Sequence, residues 1–199
     1  MTAFIYPATP HQRKHGPRGY VDYSSFRPWL RDEFSFSCIY CLIREQWGRV
    51  TGDFDIDHFI PQATDPNLTT DYDNLVLSCA RCNQVKLSQH VPDPLTALTV
   101  HHLQIQPDGS LECYSREAES LVLKLDLNSP EMISWRLLWI RIIELAREND
   151  TDLLNQLMGF PTNLPNLGRL RPPGGNSRPE GIANCYFSQS ERGELPAVF

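Results

Sequence analysis

The chain has 199 residues, enough for one domain with a real core or for a small domain carrying a helical extension. Apolar residues make up 41% and charged residues 21%, which excludes wholesale disorder, and no apolar run approaches the ~18 residues that cross a membrane. The net charge of −6 divides into +3 over residues 1–50, −8 over 51–130 and −1 over 131–199, so a uniformly basic polyanion-binding surface is excluded and the acidic middle needs its own explanation, such as carboxylates gathered for a metal.

Residues 1–23 hold three Pro and two Gly without periodicity, with a basic cluster at His11-Gln12-Arg13-Lys14-His15. They read as an extended, solvated basic arm. They also lack the long apolar stretch of a secretory signal, so a cytoplasmic protein is expected. Ser24 or Ser25 can cap a helix running to about Phe34, with Phe26, Trp29, Leu30 and Phe34 on its buried face. That helix leads into "FSCIYC". The stretch "RVTGDFDIDHFIP" alternates apolar and polar residues as a half-buried strand does, and Pro61 is placed to end it. "QATDPNLTTDYDN" is loop chemistry, "LVLS" a short apolar run, and a short helix is expected from Asn83 up to Pro92.

Residues 24–92 thus form one compact unit, 93–160 a mixed and then helical extension, and 161–199 a Pro/Gly-rich loop and tail. In the extension, Pro107-Asp108-Gly109 marks a turn between two strands. "SPEMISWRLLWIRIIELAREN" is the clearest helix, with Ser129 as its cap and Pro130 at its first position. Its apolar residues are too many for one narrow stripe, so it is expected to be deeply buried or to pair with another protein. A further short helix is expected at 151–158, stopping at Gly159, whereas "IANCYFSQSERGELPAVF" has no clear placement.

Four of the six cysteines form two C-x-x-C pairs, Cys38/Cys41 and Cys79/Cys82, while Cys113 and Cys185 stand alone and read as ordinary thiols. Paired knuckles in a cytosolic chain point to a tetrahedral thiolate site for structural zinc, with rubredoxin-type iron as the competitor. The knuckles are separated by 37 residues, and they can converge only if the intervening chain folds back as a hairpin.

Between and after the knuckles the order is C-x2-C…DH-x2-P…NL-x3-C-x2-CN-x2-K over residues 38–90. This resembles the HNH endonuclease family, in the variant where two C-x-x-C pairs bind a structural zinc around a ββα-metal core. The fold class expected is therefore α+β, with a small zinc-stapled core, flanking helices and a helical C-terminal extension. Phosphodiester hydrolysis needs an activated water, neutralised phosphate charge and a stabilised leaving oxygen. A neutral imidazole suits the first need, and a hard Mg²⁺ or Mn²⁺ ion on oxygen donors suits the others. By the resemblance, His58 is the general base, Asp57 and Asn83 hold the catalytic divalent ion, and Asn74 fixes the loop and orients the histidine. Lys86 is expected to touch a phosphate. Asp53 and Asp55 read as surface residues, with Asp55 a possible partner standing behind the site.

"SSFRPWLRDEFSFSCIYC" and the downstream "LDLNSPEMISWR" further resemble the HNH proteins of bacterial anti-phage systems of the Septu and retron-associated type, which implies a larger ATPase partner. In one departure, Gln62 follows Pro61 where relatives often carry Lys or Arg. With Asp65, Asp71 and Asp73 nearby, the rim is poor in positive charge, so the basic arm at 11–18, the arginines at 169–178 or a partner must supply nucleic-acid affinity. DNA is the expected substrate ahead of RNA. The rival reading is a non-catalytic zinc-ribbon module that binds nucleic acid or a partner protein.

Overall fold

The computed structural model describes residues 4–47 and 54–199. Asp53 and the first residues of the predicted strand lie outside the described residues. Asp22 caps a 3-10 turn at Tyr23–Phe26 by accepting from the Ser24 amide, and helix α1 (Arg27–Glu33) follows with Pro28 in its first turn. The cap is therefore earlier than the serines. Phe26, Trp29, Leu30 and Phe34 are buried as their spacing requires, but so are Asp32 and Glu33.

Strand β1 (Phe54–His58) pairs antiparallel with β2 (Leu75–Cys79), in register from Phe54 opposite Cys79 to His58 opposite Leu75. Helix α2 (Ala80–Lys86) leaves β2 without a linker. It starts three residues ahead of Asn83 because Cys79 caps it, the Cys79 sulfur accepting from the Cys82 amide at 3.5 Å. The result is a ββα unit whose two strands run back past the first knuckle, as the cysteine spacing demands.

A short helix α3 (Pro94–Ala97) precedes the hairpin β3 (Leu103–Ile105) and β4 (Leu111–Cys113), which turns at Pro107-Asp108-Gly109 as expected. Gly109 has φ +86° and a Cβ there would come within 2.6 Å of the Ile133 carbonyl, so the turn requires glycine. Helix α4 (Arg116–Lys124) is capped by Ser115, α5 (Pro130–Asn149) by Ser129 and α6 (Thr151–Met158) by Asp150. The unplaced tail forms α7 (Glu180–Ala183) and α8 (Tyr186–Glu191). Cys185 is buried between them and Cys113 is half-buried, both as free thiols.

One apolar cluster joins α1, both knuckles, β1, β2, the hairpin and α4. A smaller one gathers Phe4, Ile143 and Met158 against Trp47, Trp135 and Trp139, with Trp47 and Trp139 stacked at 4.3 Å. Helix α5 buries Met132, Arg136, Ile143 and Ala146, while Leu138 and Leu145 stay 55% and 61% exposed. It is thus neither wholly buried nor wholly covered. Among the described residues, no helix is long and apolar enough to cross a membrane.

The arm departs most from expectation. It is extended, but it docks on the domain instead of standing free. Phe4, Tyr6 and His15 are buried, and Pro17 forms an antiparallel bridge with Asn176. The cause is the pair of buried acids on α1. Asp32 accepts from His15 Nε2 at 2.8 Å, and Glu33 accepts from His11 Nε2 (2.7 Å), the Lys14 amide (2.8 Å), the His15 amide (3.1 Å) and the Tyr72 hydroxyl (2.9 Å). Buried carboxylates require such partners, and the basic cluster supplies them.

Candidate active site

The four knuckle cysteines are buried, and their sulfurs all lie within 4.8 Å of one another. The first knuckle is a tight turn in which the Leu42 amide donates to the Cys38 carbonyl (2.9 Å) and Leu42 sits at φ +62°. The second is the β2–α2 junction. Hydrogen bonds from the other three thiols hold Cys79 far below the usual thiol range, while Cys41 and Cys82 are pushed up, chiefly by their bonds to Cys38, with Cys79 acting in the same direction on both. Four thiols this close compete for protons, so they oppose ionising together. A tetrahedral thiophilic dication resolves that conflict by replacing the shared protons, and the donor set fits one. Among the described residues this is the one group of three or more His, Cys, Asp or Glu side chains able to hold an ion.

Strand β1 carries the second centre. Asp55 and Asp57, two residues apart, share a face and meet α2 on two rungs. Asn83 Nδ2 donates to Asp55 Oδ2 at 3.1 Å, and one helical turn later Lys86 Nζ donates to Asp57 Oδ1 at 2.9 Å. Lys86 also donates to the His58 carbonyl at 2.7 Å. The Tyr40 hydroxyl, from inside the first knuckle, donates to Asp57 Oδ2 at 2.6 Å. Burial pushes Tyr40 up and the adjacent Asp57 charge adds to it, so the phenol stays a donor.

This placement corrects one expectation. Lys86 is fully buried with its ammonium turned onto Asp57, so a direct phosphate contact gives way to an internal ion pair. Asp57 needs that cation because both of its oxygens lie inside the protein.

His58 faces other neighbours, as strand alternation predicts. Its Nε2 lies 2.9 Å from the Thr69 carbonyl, which can only accept, so Nε2 carries the proton and Nδ1 the lone pair. The exposed Gln62 amide donates to Nδ1 at 3.2 Å, and the Tyr23 ring packs edge-on at 4.9 Å. Burial lowers the His58 pKa, with the Lys86 charge acting in the same direction and Thr69 and Asp57 opposing it. The imidazole is therefore neutral at neutral pH.

Asn74 fixes the loop that follows. Its Oδ1 accepts from the Ile60 amide (2.9 Å) and its Nδ2 donates to the Ile60 carbonyl (3.0 Å) and to Leu68 (3.3 Å). The side-chain amide thereby stands in for a strand peptide and extends the β1–β2 ladder past His58. Asn74, ahead of Pro61, governs the strand end. Arg13 braces the same turn from outside the ββα unit. Its guanidinium lies between the Phe34 and Tyr72 rings and donates to the carbonyls of Asp73 (3.1 Å) and Leu75 (2.7 Å), on either side of Asn74. The sequence marked Gln62 only as a departure at the rim and Arg13 only as part of the basic arm, and their contacts with His58 and with the Asn74 turn were not read from it. Tyr40 was missed, though an aromatic donor inside a knuckle was findable.

Fold and cysteine frame together define a ββα unit clasped by a four-cysteine centre, with His58, Asp57 and Asn74 gathered at one strand end. Residues 38–89, about a quarter of the chain, match the family model described as HNH endonuclease. The match marks this region as a nuclease-type domain, a class that engages nucleic acid. No curated protein and no solved structure gives a significant match.

Proposed function

We propose that the protein is a metal-dependent HNH endonuclease that hydrolyses phosphodiester bonds, in DNA ahead of RNA. The observation that carries this is the coincidence of the matched HNH region with a ββα unit in which buried Asp57 and His58 stand side by side at a strand end. His58 takes the proton of the attacking water on its neutral imidazole, and Thr69 keeps the ring in one tautomer. Asn74 holds the loop that carries the ring. Asp57 and the amide oxygen of Asn83 are the donors for Mg²⁺ or Mn²⁺, and Asp55 orients Asn83 by taking its Nδ2. When bound, that ion would neutralise phosphate charge and stabilise the leaving oxygen. Lys86 serves the reaction through Asp57, as a positioning residue. The four cysteines hold zinc as a structural ion. Action beside an ATPase partner in anti-phage defence rests on the sequence context of residues 24–41 and 125–136, and co-purification from the native host tests it.

A second reading, a non-catalytic zinc module, is favoured by the engagement of both Asp57 oxygens with Tyr40 and Lys86. One experiment separates the two. Purified protein, assayed for zinc content, is incubated with plasmid, single-stranded DNA and RNA, with and without Mg²⁺ or Mn²⁺. The nuclease reading expects metal-dependent cleavage that His58→Ala abolishes while keeping the fold and the zinc. Equal cleavage by wild type and His58→Ala would sink it.

A further inference from the structure

Two segments far apart in sequence, one carrying Arg18 and the other Arg178, meet through backbone hydrogen bonds. The Arg18 amide donates to the Gly175 carbonyl (2.9 Å), the Gly174 amide to the Arg18 carbonyl (2.9 Å), and the Ser177 amide to the Gly16 carbonyl (2.8 Å). Arg178 reaches across to the His15 carbonyl at 2.8 Å. The pairing is close because glycine permits it: a Cβ on Gly19, at φ +81°, would fall 2.4 Å from the Gly174 nitrogen.

This two-segment platform forms one wall of a polar cleft of about 390 Å³, and the opposite wall is Thr70–Asp73. That opposite wall follows directly on Thr69, the residue that holds His58 Nε2, and leads into Asn74. The cleft therefore runs along the loop that brackets the proposed base.

Its charge sets it apart from the rest of the chain. Asp73 lies 3.4 Å from Arg178 and 3.9 Å from Arg13, so two guanidiniums share one carboxylate. Arg18 is exposed, and among the described residues its guanidinium has no hydrogen-bonded or ion-pair partner. The remaining acid is Asp71, whose Oδ1 accepts from the Asp73 amide at 3.0 Å. Arg18 and Arg178 thus line the cleft with Asp71 and Asp73, a local balance of zero in a protein whose net charge is −6, while Arg13, buried between two rings, sits behind Asp73.

We propose that this cleft binds the phosphodiester backbone flanking the scissile bond, with Arg18 and Arg178 as its phosphate contacts and the Ser177 and Thr70 hydroxyls beside them. Exposed salt bridges such as Arg178–Asp73 hold little free energy, so a phosphate can take the guanidinium from the carboxylate. The proposal rests on the nuclease reading and adds Arg18, Ser177 and Arg178, outside the matched domain, to the substrate's contacts.

The test is equilibrium binding without added Mg²⁺ or Mn²⁺, over a series of salt concentrations. The probes are duplex DNA, single-stranded DNA and RNA of one sequence. Arg18→Glu, at an exposed side chain, should weaken binding about fivefold or more and make the slope of log Kd against log salt shallower by roughly one. Asp71→Asn keeps the oxygen that caps the turn while removing a charge, so it should tighten binding severalfold. Thermal melts confirm that both variants fold. The probe whose salt slope changes most is the cleft's ligand. Wild-type binding with slopes unchanged in both variants overturns the cleft and leaves the nuclease reading standing. No binding of any probe by the wild type overturns both.

Discussion

Replacing Glu33 by Gln isolates the charge at the centre of the arm's attachment. Burial alone would push the Glu33 carboxyl up, but the His11 hydrogen bond, the Lys14 amide and the Arg13 charge outweigh it and hold the pKa at about 2, against an ordinary 4.5. A carboxylate whose folded-state pKa is depressed contributes stability that is fully present above its unfolded value and is lost as pH falls through its folded value. A difference of about 2.5 pH units at 1.36 kcal/mol each gives about 3 kcal/mol at neutral pH, with the loss running from about pH 4.5 down to about 2. Urea unfolding of wild type and Glu33→Gln, measured every half unit from pH 2 to 7, reads this directly. The variant should be less stable by about 3 kcal/mol at pH 6 to 7, and the two curves should converge at the acid end. Parallel stability profiles, offset by a constant or not at all, would refute the assignment of the arm's attachment to the Glu33 charge.

Two further outcomes follow from the site. Lys86→Met strands Asp57 as a buried charge held by Tyr40 alone, and should cost roughly 3–5 kcal/mol. Adding Asp57→Asn should restore much of that loss in a double-mutant cycle, and full additivity would refute the pairing. Asn74→Ala leaves the Ile60 amide and carbonyl without partners and should cost about 1–3 kcal/mol with a matching fall in cleavage rate. Asn74→Asp, which sets an oxygen against the Ile60 and Leu68 carbonyls, should be no better, and wild-type melting by Asn74→Asp would contradict the geometry.

What the sequence made legible was local. Fixed spacing gave the knuckles, and Ser129 with Pro130 gave the start of α5. Pro107-Asp108-Gly109 gave the hairpin turn, and strand alternation set Asp57 and His58 on different faces. Each of these depends on residues within a few positions of one another. The choice of partners across the chain was not legible. Nothing in the spacing says that Lys86 turns inward onto Asp57, or that His11 and His15 seek Asp32 and Glu33. A basic cluster among Pro and Gly has the composition of a tail, and only the burial of two acids on α1 makes it a strap. The tail helices α7 and α8 were hidden for a related reason. Each spans two turns or fewer and is fixed by tertiary contacts, such as the Tyr186 amide on Asp32 Oδ1 at 2.8 Å, and no internal pattern marks it.

The bridge between Pro17 and Asn176 has a consequence for synthesis. A chain emerging from the ribosome has its ββα unit by residue 86, yet the Gly16–Arg18 stretch lacks its pairing partner until residue 178 is out. Contacts of such long sequence separation form late. During translation the DH pair is therefore present well before its surroundings are complete, and a truncated product would carry the motif without the wall beside it.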